Sequence, residues 1–263
     1  MSSLQIHRAN GTLTLTLNRP EVHNAFDGEL ISGLTSQLQV AGNDPETRVV
    51  VLTGHGASFS AGADLNWMRS MLGASEKTNE HDALQLARLL RTLNYLPVPT
   101  VARVNGAAIG GGLGLVACCD IAVASDTAVF ALSEARLGLA PAIISPYVFR
   151  RIGESQARRF FLTGERFDAE HARRLGLVHD VVDPENLDEA VEGLCDAIRR
   201  GGPQGVAESK KLVFHAAGHS ADRQLELDQA TARLIARLRI SAEGQEGMRA
   251  FLEKRPPGWL AGE

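Results

Sequence analysis

The chain has 263 residues, a net charge of −4 at pH 7 and a pI near 6.1, with 44% hydrophobic but only 5% aromatic residues. Such a length supports one large domain or two small ones with an ample aliphatic core, and the acidic balance gives no electrostatic reason for a nucleic-acid or acidic-membrane partner. Three cysteines, Cys118, Cys119 and Cys195, without C-x-x-C spacing exclude a disulfide framework or a zinc ribbon. With no basic-then-apolar N-terminus and no apolar run of about 18 residues, the expectation is a soluble, cytoplasmic protein without a membrane partner.

Leu4 to His7 and Thr12 to Leu17 alternate with period two around the turn Ala9-Asn10-Gly11, a β-hairpin. Behind Asp27, a candidate N-cap, Leu30, Ile31, Leu34, Leu38 and Val40 recur at helical spacing. Arg48 to Thr53 is a short buried strand, followed by a glycine-rich connection from Gly54 to Asp64 and a helical segment from Leu65 to Met71. Gly73 to Asn79 reads as a mobile loop. A long helix carrying Leu84, Leu86, Leu89, Leu90 and Leu93 then runs to Pro97 and Pro99, which end it.

The β-branched run Thr100 to Val104 leads into Asn105-Gly106-Ala107-Ala108-Ile109-Gly110-Gly111-Gly112, and the apolar run Leu113 to Cys119 leads out. Phe130 to Gly138 reads as a strand entering a loop, Pro141 to Pro146 as irregular, and Gly153 to Leu162 as helical. Leu177 to Val182 is a last short strand. Beyond Pro184 the pattern is helical over Leu187 to Ile198, Val206 to His215, Leu225 to Leu238 and Glu243 to Glu253. The expected organisation is an α/β body over 1–195 with a C-terminal helical region over 196–263.

The glycine run has three readings. It lets a helix pack closely on a sheet; or it presents backbone N–H groups at a helix start, where the helix dipole favours negative charge; or Gly112-Leu113-Gly114-Leu115-Val116-Ala117 is a dinucleotide fingerprint. The third suffers because Asp120 and the strand-like Ile121 to Ala124 leave the helix only about two turns. A second glycine-rich turn, Ser60-Ala61-Gly62-Ala63-Asp64, can aim another amide at the same point. Two converging donors are what a thioester carbonyl requires as it becomes an enolate.

Glu134, within the apolar stretch from Phe130 to Leu137, is the candidate proton carrier, since desolvation raises a carboxyl pKa toward operating pH; the alternative is a solvated surface carboxylate. The eight histidines lack ligand spacing, so no metal is expected. No phosphate loop, zinc helix or nucleophile elbow occurs.

Asn18-Arg19-Pro20…Asn24-Ala25, Phe59 to Leu65, Val104-Asn105-Gly106…Gly110-Gly111-Gly112, Cys119-Asp120-Ile121, Gly176-Leu177-Val178 and Phe251 to Arg255 occur in that order. The ordered set resembles the enoyl-CoA hydratase/isomerase (crotonase) superfamily over nearly the whole chain. The resemblance implies a spiral of strand-strand-helix turns, an acyl-CoA thioester substrate, no cofactor beyond the CoA carried by that substrate, and a homotrimer or dimer of trimers. By position it implies that Ala63 and Gly111 donate the oxyanion-hole N–H groups and that Glu134 is the acid/base. It also implies that Ala25, Ala61, Asp64 and Leu65 meet CoA, that Gly114 lies at the substrate, and that Lys254 approaches the CoA phosphates.

One departure matters. Members with two carboxylates have a Glu directly after Gly-Gly-Gly-x, where this chain has Gly114. A lone Glu134 serves either a syn hydration through one water or a Δ3-to-Δ2 isomerisation, and composition does not decide between them. The stretches Gly62 to Arg69 and Leu132 to Tyr147 further resemble hydratases of branched, carboxylated enoyl-CoAs such as methylglutaconyl-CoA, for which Arg69 or Arg136 would supply a cation. An idle scaffold of this fold, an RNA binder and a dehydrogenase are the remaining alternatives.

Overall fold

The computed structural model describes residues 2–260. The hairpin is present as β1 (Leu4–Ala9) and β2 (Thr12–Leu17), antiparallel, with Leu13, Leu15 and Leu17 all facing the core. Helix α1 (Gly28–Asn43) follows, its N-terminus capped by Asp27, whose Oδ1 accepts from Leu30 N at 2.8 Å. Then β3 (Val49–Gly54), β4 (Ser58–Ser60), α2 (Leu65–Met71) and α3 (Glu76–Asn94) complete one strand-strand-helix turn.

The next turns are β5 (Thr100–Val104), β6 (Ala107–Ile109) and α4 (Gly111–Cys118), then β7 (Ile121–Ser125), β8 (Val129–Ala131) and α5 (Ser145–Thr163). In each turn the first strand joins a six-stranded sheet of order β1-β2-β3-β5-β7-β10, and the second joins a four-stranded sheet of order β4-β6-β8-β9. The chain thus winds as a spiral. β9 (Arg166–Asp168), α6 (Ala169–Arg174) and β10 (Asp180–Val182) close both sheets, and α7 (Leu187–Arg200), α8 (Pro203–Ala216), α9 (Ala221–Ile240) and α10 (Ala242–Leu252) end the chain.

Between the sheets and helices lies one large aliphatic core, and a smaller one joins Val49, Val51, Val101 and Val123 on the outer sheet face to Leu187, Val191 and Cys195 of α7. The boundary expected after residue 195 therefore falls inside a helix packed on the spiral.

Local expectations differ from the structure at several points. The segment 73–79 is not all loop: Ser75 Oγ accepts from Thr78 N at 3.1 Å, and α3 begins at Glu76. The segment 141–146 is not irregular throughout, because α5 starts at Ser145 with Pro146 in its first turn, where a proline lacks no bond. A left-handed Gly153 (φ 73°) breaks α5 and hides its continuity from a pattern search. Finally, the three-residue β9 and the six-residue α6 are too short to show a period in the sequence, and the strand expected over 177–182 is only its last three residues, β10.

Candidate active site

Two loops that leave neighbouring strands of the four-stranded sheet, β4 and β6, meet at the N-terminus of α4. Gly110 precedes that helix with φ 51°, a conformation that disfavours any side chain, and an added Cβ would lie 3.1 Å from Glu134 Oε1. A Cβ on Gly62 would stand 2.9 Å from Ile109 O and 3.6 Å from Gly111 N, and one on Gly112 would collide with Ser60 O at 2.5 Å. Glycine is needed here so that the loops can touch.

Backbone pairing sets which amides remain available. Phe26 N donates to Gly62 O (2.6 Å) and Asp64 N to Phe26 O (2.9 Å), so the intervening Ala63 N–H points to the other side of the chain. Gly110 N donates to Ala131 O (2.9 Å), leaving Gly111 N–H as the first, unpaired amide of α4. Both residues line the same cavity, of about 800 Å³. Two amides and a helix dipole there suit a developing negative charge.

The first loop is held by buried polar bonds. Asn24 Oδ1 accepts from Arg19 N (2.8 Å), and its Nδ2 donates to His55 O (2.9 Å) and Ser58 O (2.8 Å). Ser60 Oγ donates to Asn24 O at 2.8 Å. Asp64 caps α2, accepting from Asn66 N and Trp67 N, and pairs with Arg19 at 3.0 Å. Burial opposes its charge, but those amides and Arg19 outweigh burial and hold its carboxyl below the usual range.

Glu134 lies in a 3-10 turn, Ser133–Leu137, not in a strand or open loop. Gly138 ends the turn at φ 65°, and α10 buttresses it: a Cβ on Gly247 would meet Leu137 O at 2.2 Å. The residue is half-buried, yet Oε2 is sealed from solvent and has no hydrogen-bond partner in the protein. Desolvation pushes its pKa to about 7 from an ordinary 4.5, against a smaller lowering by its own backbone N–H. No cation contributes to that shift. A group balanced near neutrality can both take and return a proton.

The remaining expected residues divide. Ala25, Ala61, Asp64 and Leu65 line the cavity with Ala63, Gly111 and Glu134, and so do Arg69 and Arg136, both exposed. Gly114 does not. It is buried on α4, and a Cβ there would strike Ile144 Cγ2 at 2.3 Å. The Ile144 side chain lines the cavity at that place, so the space a second carboxylate would need is hydrocarbon. Lys254 is exposed and does not line the cavity, although Phe251 and Arg255 on either side of it do.

Sequence reasoning passed over Ile144 and Arg239. The signal for Arg239 was present: it falls in phase with Ala232, Ile235 and Ala236, all buried on α9, where a charge is out of place.

The chain matches the family model described as "Enoyl-CoA hydratase/isomerase" over residues 7–262. It is 35% identical over 259 residues to a 2,3-dehydroadipyl-CoA hydratase of Escherichia coli, spanning 98% of each chain. Against a 1,2-epoxyphenylacetyl-CoA isomerase of the same organism it is 33% identical over 259 residues, again 98% of each. Among solved structures, an enoyl-CoA hydratase from Shewanella pealeana is 44% identical with a TM-score of 0.80, aligned over 98% of this chain and 96% of that one.

Proposed function

The chain belongs to the enoyl-CoA hydratase/isomerase family, and from that premise we propose that it adds water to a 2-enoyl-CoA with Glu134 as the only acid/base. The thioester oxygen accepts from the N–H groups of Ala63 and Gly111. Glu134 as carboxylate removes a proton from water, the hydroxyl joins Cβ, and the enolate's charge collects on the thioester oxygen. The protonated Glu134 then delivers its proton to Cα, which regenerates the carboxylate and completes a net addition of water. Each amide contributes about 3 kcal/mol to that transition state.

The observation that carries this reading is the Glu134 carboxyl, with Oε2 unpartnered and Oε1 against Gly110, in the cavity that both free amides line. Ala25, Ala61, Asp64 and Leu65 supply the surface for CoA. The favoured substrate is a branched or carboxylated enoyl-CoA, methylglutaconyl-CoA-like; support comes from the arginines on the wall, Arg69 and Arg136 among them. Exposed Leu162, Leu212 and Val213 support a homotrimer or dimer of trimers.

Ile144 over Gly114 favours a second reading, isomerisation of a 3-enoyl-CoA, because shuttling one proton from Cα to Cγ needs no second acid. An absorbance assay separates them. Hydration removes the ultraviolet absorbance of a 2-enoyl-CoA; an isomerase creates it from a 3-enoyl-CoA and leaves the 2-enoyl ester unhydrated.

A further inference from the structure

Arg239 is 8% exposed, yet it lines the cavity. Its Nη1 donates to Asp82 Oδ2 at 3.0 Å, and its guanidinium lies 4.9 Å from the centre of the Trp67 ring. Asp82 is itself shared, because its Oδ1 accepts from Trp67 Nε1 at 2.7 Å. Among the described residues nothing accepts from Arg239 Nε or Nη2, and neither is fully sealed from solvent. Burying a guanidinium with two donors open is expensive unless a ligand completes it.

The position of the cluster says what that ligand is. Trp67, Asp82 and Arg239 come from three helices, and one turn away on each an apolar residue lines the cavity: Met71, Leu86 and Ile235. The cation thus stands beside a hydrocarbon wall. It stands on α9, away from the turn Ser133–Leu137 that carries the acid/base. Arg69 differs in being exposed, with Nη1 bonded to Asn66 Oδ1 at 2.7 Å, and Arg136 is likewise exposed.

We infer that Arg239 is the specificity-determining residue for the far end of the acyl group, its free guanidinium edge donating to a carboxylate at the end of the acyl chain, with Trp67 and Asp82 holding it in place. The assignment rests on the cavity being an acyl-CoA site. It replaces Arg69 and Arg136 in that role by a residue already desolvated and oriented, where a charge-assisted bond is strong.

The test is calorimetric binding of saturated esters, which need no turnover: glutaryl-CoA against pentanoyl-CoA, and adipyl-CoA against hexanoyl-CoA. The wild type is expected to prefer at least one dicarboxylic ester over its apolar partner. Arg239→Gln is expected to lower that affinity ratio about 10- to 100-fold, the range for a bond to a charged group. Asp82→Asn keeps an acceptor for Trp67 Nε1 but removes the carboxylate that holds Arg239 Nη1, so the ratio is expected to fall there too; it also serves if Arg239→Gln folds poorly. A ratio that stays the same in both variants, or a wild type that binds each pair equally, overturns the assignment alone. Failure of every ester to bind the wild type overturns the acyl-CoA reading, and the assignment with it.

Discussion

Replacing Glu134 by Gln is expected to stabilise the protein at alkaline pH while abolishing turnover. Burial raises the folded-state pKa of Glu134 from 4.5 to about 7, so the folded protein holds this proton more tightly than the unfolded chain does. As pH rises from about 4.5 to about 7 the unfolded chain loses the proton first, and stability falls across that window by an upper limit of about 3 kcal/mol. Gln has nearly the same shape and never ionises. Glu134→Gln is therefore expected to match the parent near pH 4 and to exceed it by up to about 3 kcal/mol above pH 8. Urea melts of both proteins at the two pH values measure the difference. A gap that does not change with pH, or a variant less stable at high pH, refutes a desolvated carboxyl at this position.

Because the hydration base must be ionised, kcat/KM is expected to rise about tenfold per pH unit on the acid side and to level off near pH 7; a pH–rate profile shows whether the inflection lies there or near 4.5. In Gly112→Ala the new Cβ would stand 2.5 Å from Ser60 O and push the two amide loops apart. A fall in kcat of about 100- to 1000-fold is expected, measured in steady-state kinetics against crotonyl-CoA. Gly114→Ala meets Ile144 Cγ2 at 2.3 Å, and thermal melts are expected to show a loss of about 1 to 3 kcal/mol that Ile144→Ala relieves in the double variant.

The strands and helices with strong periodicity were legible in the sequence, among them the hairpin, α1, the leucine face of α3 and the C-terminal helices. The glycines carried the site because each tight approach leaves a residue type behind: Gly62, Gly110 and Gly112 are where no Cβ fits. What could not be read was three-dimensional exclusion. Nothing near Gly114 in sequence says that Ile144, thirty positions on, fills the space above it. The Trp67–Asp82–Arg239 cluster likewise joins three helices: Arg239 is out of place on a buried face, but nothing in the sequence names Trp67 and Asp82 as its partners. The turn carrying Glu134 is too short to show a period and so looks like a loop in the sequence, and only the glycines of α10 pressed against it reveal how it is held.

The most direct measurement is a crystal structure with a non-reactive acyl-CoA, such as hexanoyl-CoA, bound in the cavity. The thioester oxygen is expected within about 3.2 Å of both Ala63 N and Gly111 N, with the Glu134 carboxyl beside Cα and Cβ and Ile144 on the opposite face. A thioester oxygen that meets only one amide or neither, or a Glu134 carboxyl turned away from both carbons, contradicts the mechanism.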